Sequence, residues 1–156
     1  MSVVVAERLV SRSLVSDELF ECLVARVERD EGHEPELAVR IVDQALAFLG
    51  TCAVHRGEPL SPSRMVDAGW HAFVLHTREY RRFCRRIAGR FIDHVPTDNL
   101  PAGPGELASP LHRTVAAMRI IGYAVDDELW FSSDNADCTG CHNGCHDDPP
   151  PVGEGY

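Results

Sequence analysis

Side chains that carry chemistry concentrate in residues 67–96 of this 156-residue chain. The stretch contains three of the eight histidines, one of the two tryptophans, a cysteine and six arginines. Imidazole is the most common metal ligand in proteins and also transfers protons near neutral pH. We therefore expect a metal or proton-transfer site here, formed around His71 and His94.

The spacing of Asp67 and His71 predicts that they share a helix face, because residues four apart on a helix are neighbours. A metal-bound histidine usually needs a carboxylate or carbonyl on its second ring nitrogen, so Asp67 is placed to orient His71 or to bind the ion directly. His94 follows a break in the chain and can converge on His71 from another element. A purely structural alternative is a buried Asp67–His71 pair, with His94 capping a carbonyl.

A second group of ligand-type residues lies in the tail sequence C-T-G-C-H-N-G-C-H. Two cysteines separated by two residues form a common metal-chelating pair, and a third cysteine with one histidine completes a tetrahedral zinc site. The glycines between them permit the tight turns that such a loop requires. The candidate ligands are Cys138, Cys141, His142, Cys145 and His146.

Other interpretations of the tail remain open. C-x-x-C-H is also the attachment pattern of c-type haem, which is installed outside the cytoplasm. An iron–sulfur cluster needs a fourth cysteine, and a redox dithiol normally lies in a βαβ setting. The fourth cysteine would have to be Cys84, Cys52 or Cys22. The tail either forms its own site or shares one ion with His71 or His94.

These residues lead us to expect a small helical protein that binds a transition metal, with zinc as the first candidate and iron or copper as alternatives. As an enzyme it would activate water or a small-molecule substrate on the ion. The alternative is a non-catalytic interaction module whose fold is stabilised by the metal ion. Its arginine-rich face would bind an acidic protein partner. The sequence does not decide between them and does not give the oligomeric state.

The elements that must position these residues are helices. Apolar residues recur at three- and four-residue spacing, and capping residues predict helices over about 16–32, 35–55, 62–75, 77–88 and 110–122, with a turn at 126–131. Residues 3–13 fit a short helix or an edge strand. We predict an all-α fold, a compact bundle of five to six helices over residues 1–131, followed by an irregular Cys/His-rich acidic tail over 132–156.

The net charge of −9 argues against general affinity for nucleic acid, although six arginines between residues 78 and 90 form a local basic patch. This patch is either a solvated face or a surface over which the acidic tail folds back. The N-terminus lacks the pattern of a secretory signal, and we expect no membrane-spanning segment. These features favour a cytoplasmic location, where cysteines remain thiols or bind metals.

The patterns V-D-x-x-W-H, Y-x-x-F-C and G-x-F-x-x-H-x-P, between Val66 and Pro96, resemble the core of the glycine-rich domain-containing protein-like family of plants and short bacterial chains. The resemblance implies a shared site and an accessory role in a bacterial biosynthetic pathway. By this resemblance the characteristic positions are Asp67, Trp70, His71, Tyr80, Cys84, Gly89 and His94.

Overall fold

Helices are the regular elements of the computed structural model, which describes residues 8–94 and 110–131. The predicted all-α bundle is confirmed within these ranges. A 3-10 turn precedes the first helix, and Leu9 makes a single parallel bridge with Tyr123. The elements are the 3-10 turn Ser11–Leu14, α1 Asp17–Glu31, α2 Pro35–Val54, α3 Arg64–Leu75, α4 Thr77–Ala88, α5 Pro110–Ile121 and α6 Asp127–Phe131.

The helix ends follow from capping chemistry. The side chain of Ser16 accepts a hydrogen bond from the backbone N–H of Leu19 and so begins α1. Pro35 occupies the first position of α2, where its missing N–H costs nothing. Gly32 and Gly89 end α1 and α4 with φ values of 70° and 67°, in the left-handed region that favours glycine.

The central element is α2, which packs against α1, α3, α4 and α5. Twelve of its residues are buried, among them Ile41, Phe48 and Leu49. By length and composition this helix could also cross a membrane, which differs from our sequence-based expectation that the chain contains no such stretch. Its most apolar window is 67% buried inside the bundle, as expected for the core helix of a folded domain.

The buried side-chain amide of Gln44 on α2 forms hydrogen bonds with α6 and the segment before it. The Gln44 side-chain oxygen accepts hydrogen bonds from the Trp130 indole nitrogen at 2.8 Å and from the backbone N–H of Asp126 at 3.0 Å. Its nitrogen donates to the Ala124 carbonyl at 3.0 Å. Because buried polar groups must be paired, Gln44 fixes how the chain after α5 returns to the core.

The start of α3 differs from the sequence-based prediction in one respect. We expected Ser61 and Pro62 to open the helix, but the N-cap is Ser63, whose hydroxyl accepts from the Val66 N–H. The backbone of Ser61 instead exchanges two hydrogen bonds with the Thr114 hydroxyl on α5, at 3.0 and 2.8 Å. Tertiary bonding to α5 therefore moves the helix start by two residues.

Candidate functional site

A carboxylate–imidazole pair joins α3 to the segment that follows α4. Asp67 lies in the first turn of α3, and its Oδ1 is 2.8 Å from Nε2 of His94. The two side chains are only 11% and 12% exposed, respectively. The pair is therefore shielded from bulk water but still reachable from the surface.

Two further aromatic rings from α3 surround His94. The indole of Trp70 meets the His94 ring edge-on, with centroids 4.3 Å apart. The ring of His71, one helical turn beyond Asp67, lies 6.0 Å from the ring of His94. The structure thus brings together Asp67, His71 and His94, although the hydrogen bond of the Asp67 carboxylate runs to His94 rather than along its own helix.

The position of His94 depends on a buried tyrosine. The Tyr80 hydroxyl accepts a hydrogen bond from the Trp70 indole N–H at 2.9 Å and donates to the Ile92 carbonyl at 2.6 Å. Burial raises the pKa of Tyr80 well above its ordinary value, and the bond from Trp70 opposes this only in part. Tyr80 therefore stays protonated and holds the backbone two residues before His94.

An open cleft borders His71 on the side of α1. Its polar walls are Arg26, Asp30 and Glu31 from the end of α1, with apolar residues of α3 opposite. The cleft encloses about 240 Å³, enough for a few water molecules or a small polar group. His71 therefore contacts both the interior pair and a surface opening.

The tautomer implied by the pair determines its chemistry. If Nε2 of a neutral His94 donates its proton to Asp67, the lone pair of His94 is on Nδ1. An imidazole held in this way serves either as an oriented metal ligand or as a general base. His71 supplies a second imidazole, and two rings on one tetrahedral ion have centroids roughly 5 Å apart, given metal–nitrogen distances of about 2 Å. The observed 6.0 Å is within about 1 Å of that arrangement.

Within residues 8–94 and 110–131, no group of three or more His, Cys, Asp or Glu side chains is arranged to hold a metal ion. Two imidazoles and one carboxylate already committed to His94 are too few for a closed zinc site. The tail candidates Cys138, Cys141, His142, Cys145 and His146 lie outside the described residues.

The cysteines of the described part do not present thiolates to this site. Cys84 is fully buried in the core, and Cys22 is exposed on α1. Burial raises the pKa of the Cys52 thiol to about 12, with Arg90 acting in the opposite direction. A thiolate shared with the tail would therefore be costly to form at Cys52.

The hydrogen bonds of Tyr80 were not predicted from the sequence. Tyr80 entered there only as a position implied by the family resemblance, whereas in the structure it links Trp70 to Ile92. A buried tryptophan and a buried tyrosine each need a polar partner, and this requirement was the available signal. The third histidine of this stretch, His76, bonds the Ala72 carbonyl of its own helix at 2.9 Å.

Comparison with known proteins corrects the resemblance drawn from the sequence motifs. The family model that matches is UCP032817-like, over residues 11–116, which is more than half of the chain and includes Asp67 to His94. The proposed kinship with the glycine-rich domain-containing family is wrong, so it no longer supports the pathway role that it implied. No curated protein and no solved structure matches the chain. The match over residues 11–116 places the chain in the UCP032817-like family.

Proposed function

We propose that this protein binds a transition metal ion, zinc foremost, between His71 and His94, with Asp67 orienting the ring of His94. The observation that carries the proposal is the 2.8 Å contact between Asp67 Oδ1 and His94 Nε2, with the His71 ring 6.0 Å from that of His94. Metal-bound histidines in proteins commonly have their second nitrogen held by a carboxylate in this way.

The surroundings of the pair support the proposal. The Trp70 ring packs against His94 and is itself held by its hydrogen bond to Tyr80, so the His94 side chain needs little further ordering when an ion binds. His71 opens onto the cleft bordered by Arg26 and Asp30, through which water or a small-molecule substrate reaches the ion. Two imidazoles leave coordination positions for that ligand, which is typical of catalytic rather than structural zinc.

The remaining ligands come from water, from a substrate or from the tail. The sequence Cys138-x2-Cys141-His142-x2-Cys145-His146 contains enough thiolates and imidazoles for a zinc site of its own. We propose a cytoplasmic location, where the reducing environment keeps these thiols available. The proposal thus includes either one shared site or a separate tail site.

Metal analysis of the untagged protein tests the proposal. Elemental analysis should find at least one equivalent of zinc or another transition metal, and cobalt substitution should report ligand type through its absorption bands. His71→Ala and His94→Ala should each lose an equivalent that the control His33→Ala retains, since His33 lies in the turn after α1. Cys141→Ser should remove thiolate-to-cobalt bands only if the tail binds an ion.

Two results would overturn the proposal. One is protein that contains no stoichiometric ion and takes up none on titration. The other is full metal content in the His71→Ala and His94→Ala variants, which would assign all binding to the tail. Loss of one equivalent in the histidine variants and of another in Cys141→Ser indicates two sites.

A further inference from the structure

The solvent-exposed face of α4 carries a row of arginine side chains. Arg78, Arg81, Arg82 and Arg85 are exposed, and Arg78 and Arg85 lie about 10 Å apart along the helix at 1.5 Å per residue. Arg90 continues the row beyond the end of the helix. This concentration of positive charge stands on a chain whose net charge is −9.

Several arginines elsewhere in the described part of the chain pair with carboxylates, as Arg40 does with Asp126 at 2.7 Å and Arg119 with Asp127 at 2.9 Å. Among the described residues, Arg81 and Arg85 take part in no ion pair. Arg81 and Arg85 thus present positive charge that no described carboxylate neutralises, on a protein of net charge −9, and such a surface favours an anionic partner.

An open cleft lies within this face. Arg81, Arg85 and Arg90 line it together with Gly89 and the half-exposed ring of Phe91. Arg90 is held by its bond to the Cys52 carbonyl at 3.1 Å, and the Phe91 ring packs edge-on against Tyr80 at 5.3 Å. The cleft, of about 450 Å³, therefore has a fixed apolar floor and a cationic rim.

We propose that this cleft binds an acidic peptide segment of a protein partner, with carboxylates on Arg81, Arg85 and Arg90 and an apolar side chain on Phe91. Arg81 and Arg85 lie about 6 Å apart along α4 and Arg90 lies beyond its end, so separate carboxylates of one segment fit them better than a single small anion. Nucleic acid fits poorly, because its continuous phosphate backbone would meet the surrounding negative charge. The proposal is independent of metal binding, since none of these residues is a candidate ligand.

Fluorescence anisotropy with a labelled glutamate-rich octapeptide containing one tryptophan tests the proposal on the full chain. Binding should weaken at least about fivefold in Arg81→Glu/Arg85→Glu and with added salt, because screening shortens the reach of surface charges. The matched control Arg29→Glu/Arg56→Glu changes the charge equally at exposed positions that do not line the cleft and should bind like the parent. Arg81→Gln/Arg85→Gln provides a milder variant if charge reversal impairs folding.

Matched probes distinguish the alternatives. A peptide with glutamine in place of glutamate should not bind, and one with serine in place of tryptophan should bind more weakly. Equal binding of the glutamine peptide, stronger binding of single-stranded RNA at the same ionic strength, or an unchanged affinity in both arginine variants would overturn the proposal. Complete competition by millimolar inorganic phosphate would also overturn it, in favour of a small-anion site.

Discussion

The indole N–H of Trp70 donates a 2.9 Å hydrogen bond to the Tyr80 hydroxyl, so that α3 and α4 meet through a polar contact inside the core. The same hydroxyl donates to the Ile92 carbonyl at 2.6 Å. Since Trp70 also packs edge-on against His94, the Tyr80 hydroxyl holds both the indole ring beside His94 and the backbone at Ile92, two residues before it.

Replacing Tyr80 with phenylalanine should destabilise the fold and weaken metal binding together. The change leaves the Trp70 N–H and the Ile92 carbonyl without their partner, at a cost of about 1–3 kcal/mol for each buried group. His94 loses its backbone support, so an ion held by His94 should bind more weakly. Urea unfolding measures the first effect, and competition with a chromophoric chelator measures the second.

The control for this variant is Tyr123→Phe. Tyr123 is also buried, and its hydroxyl has no hydrogen bond among the described residues, so removing the oxygen should cost less than about 1 kcal/mol. Equal destabilisation by the two changes would contradict the role assigned to Tyr80.

Asp67→Asn should weaken metal binding about 10–100-fold, the usual effect of losing a carboxylate that orients a metal-bound histidine. The amide keeps the shape of the side chain and still accepts a hydrogen bond, so the change in unfolding free energy should be small. Asp93→Asn removes the same charge at an exposed position next to His94 and should leave affinity unchanged. Unchanged affinity in Asp67→Asn would exclude an orienting role for this carboxylate.

The helices were predictable because local chemistry specifies them. Ser16, Pro35, Gly32 and Gly89 are capping residues whose effect does not depend on distant contacts, and they lie where the observed helices begin and end. The start of α3 was not predictable in this way. Ser61 and Ser63 are both candidate N-caps, and long-range hydrogen bonds decide between them: those of Ser61 to Thr114, 53 residues away, and that of Ser63 to the Leu129 carbonyl.

The candidate site was predictable as a set of residues but not as a set of contacts. Helical spacing places Asp67 beside His71, but whether that carboxylate turns toward His71 or His94 depends on where the chain passes after α4. That path is set by Tyr80 and Ile92, and no sequence period encodes their bond. Long-range polar contacts of this kind are determined by packing rather than by propensity.

Gly69→Ala should destabilise the bundle even though alanine is the better helix former. An added Cβ would come within 2.8 Å of the Ala45 Cβ and 3.0 Å of the Ile41 carbonyl on α2. Neither can move without separating α2 and α3, so the overpacking cost of about 1–3 kcal/mol should exceed the helix gain of about 1 kcal/mol. A lower urea midpoint is expected, and a raised midpoint would show that the helices separate without cost.

Gly89 provides a contrasting case for the same measurement. A Cβ there would meet nothing within 4 Å, but its φ of +67° is unfavourable for alanine. Gly89→Ala should therefore cost about 1–2 kcal/mol through backbone strain alone.

Stability should fall in alkaline solution because burial raises the pKa of Cys52 to about 12 and raises those of Tyr80 and Tyr123 above their usual values. The folded state then keeps protons that the unfolded chain releases, so the free energy of unfolding decreases as pH rises past the unfolded pKa, about 9 for the thiol and about 10 for the phenols. Each group contributes a slope of at most about 1.4 kcal/mol per pH unit. Urea unfolding between pH 7 and 11 should show this decline. In Cys52→Ala the free energy of unfolding should fall less steeply above pH 9. Near pH 7 it should not vary with pH through these groups in either protein. An equal slope in the variant would mean that Cys52 ionises as easily in the folded protein as in the unfolded chain.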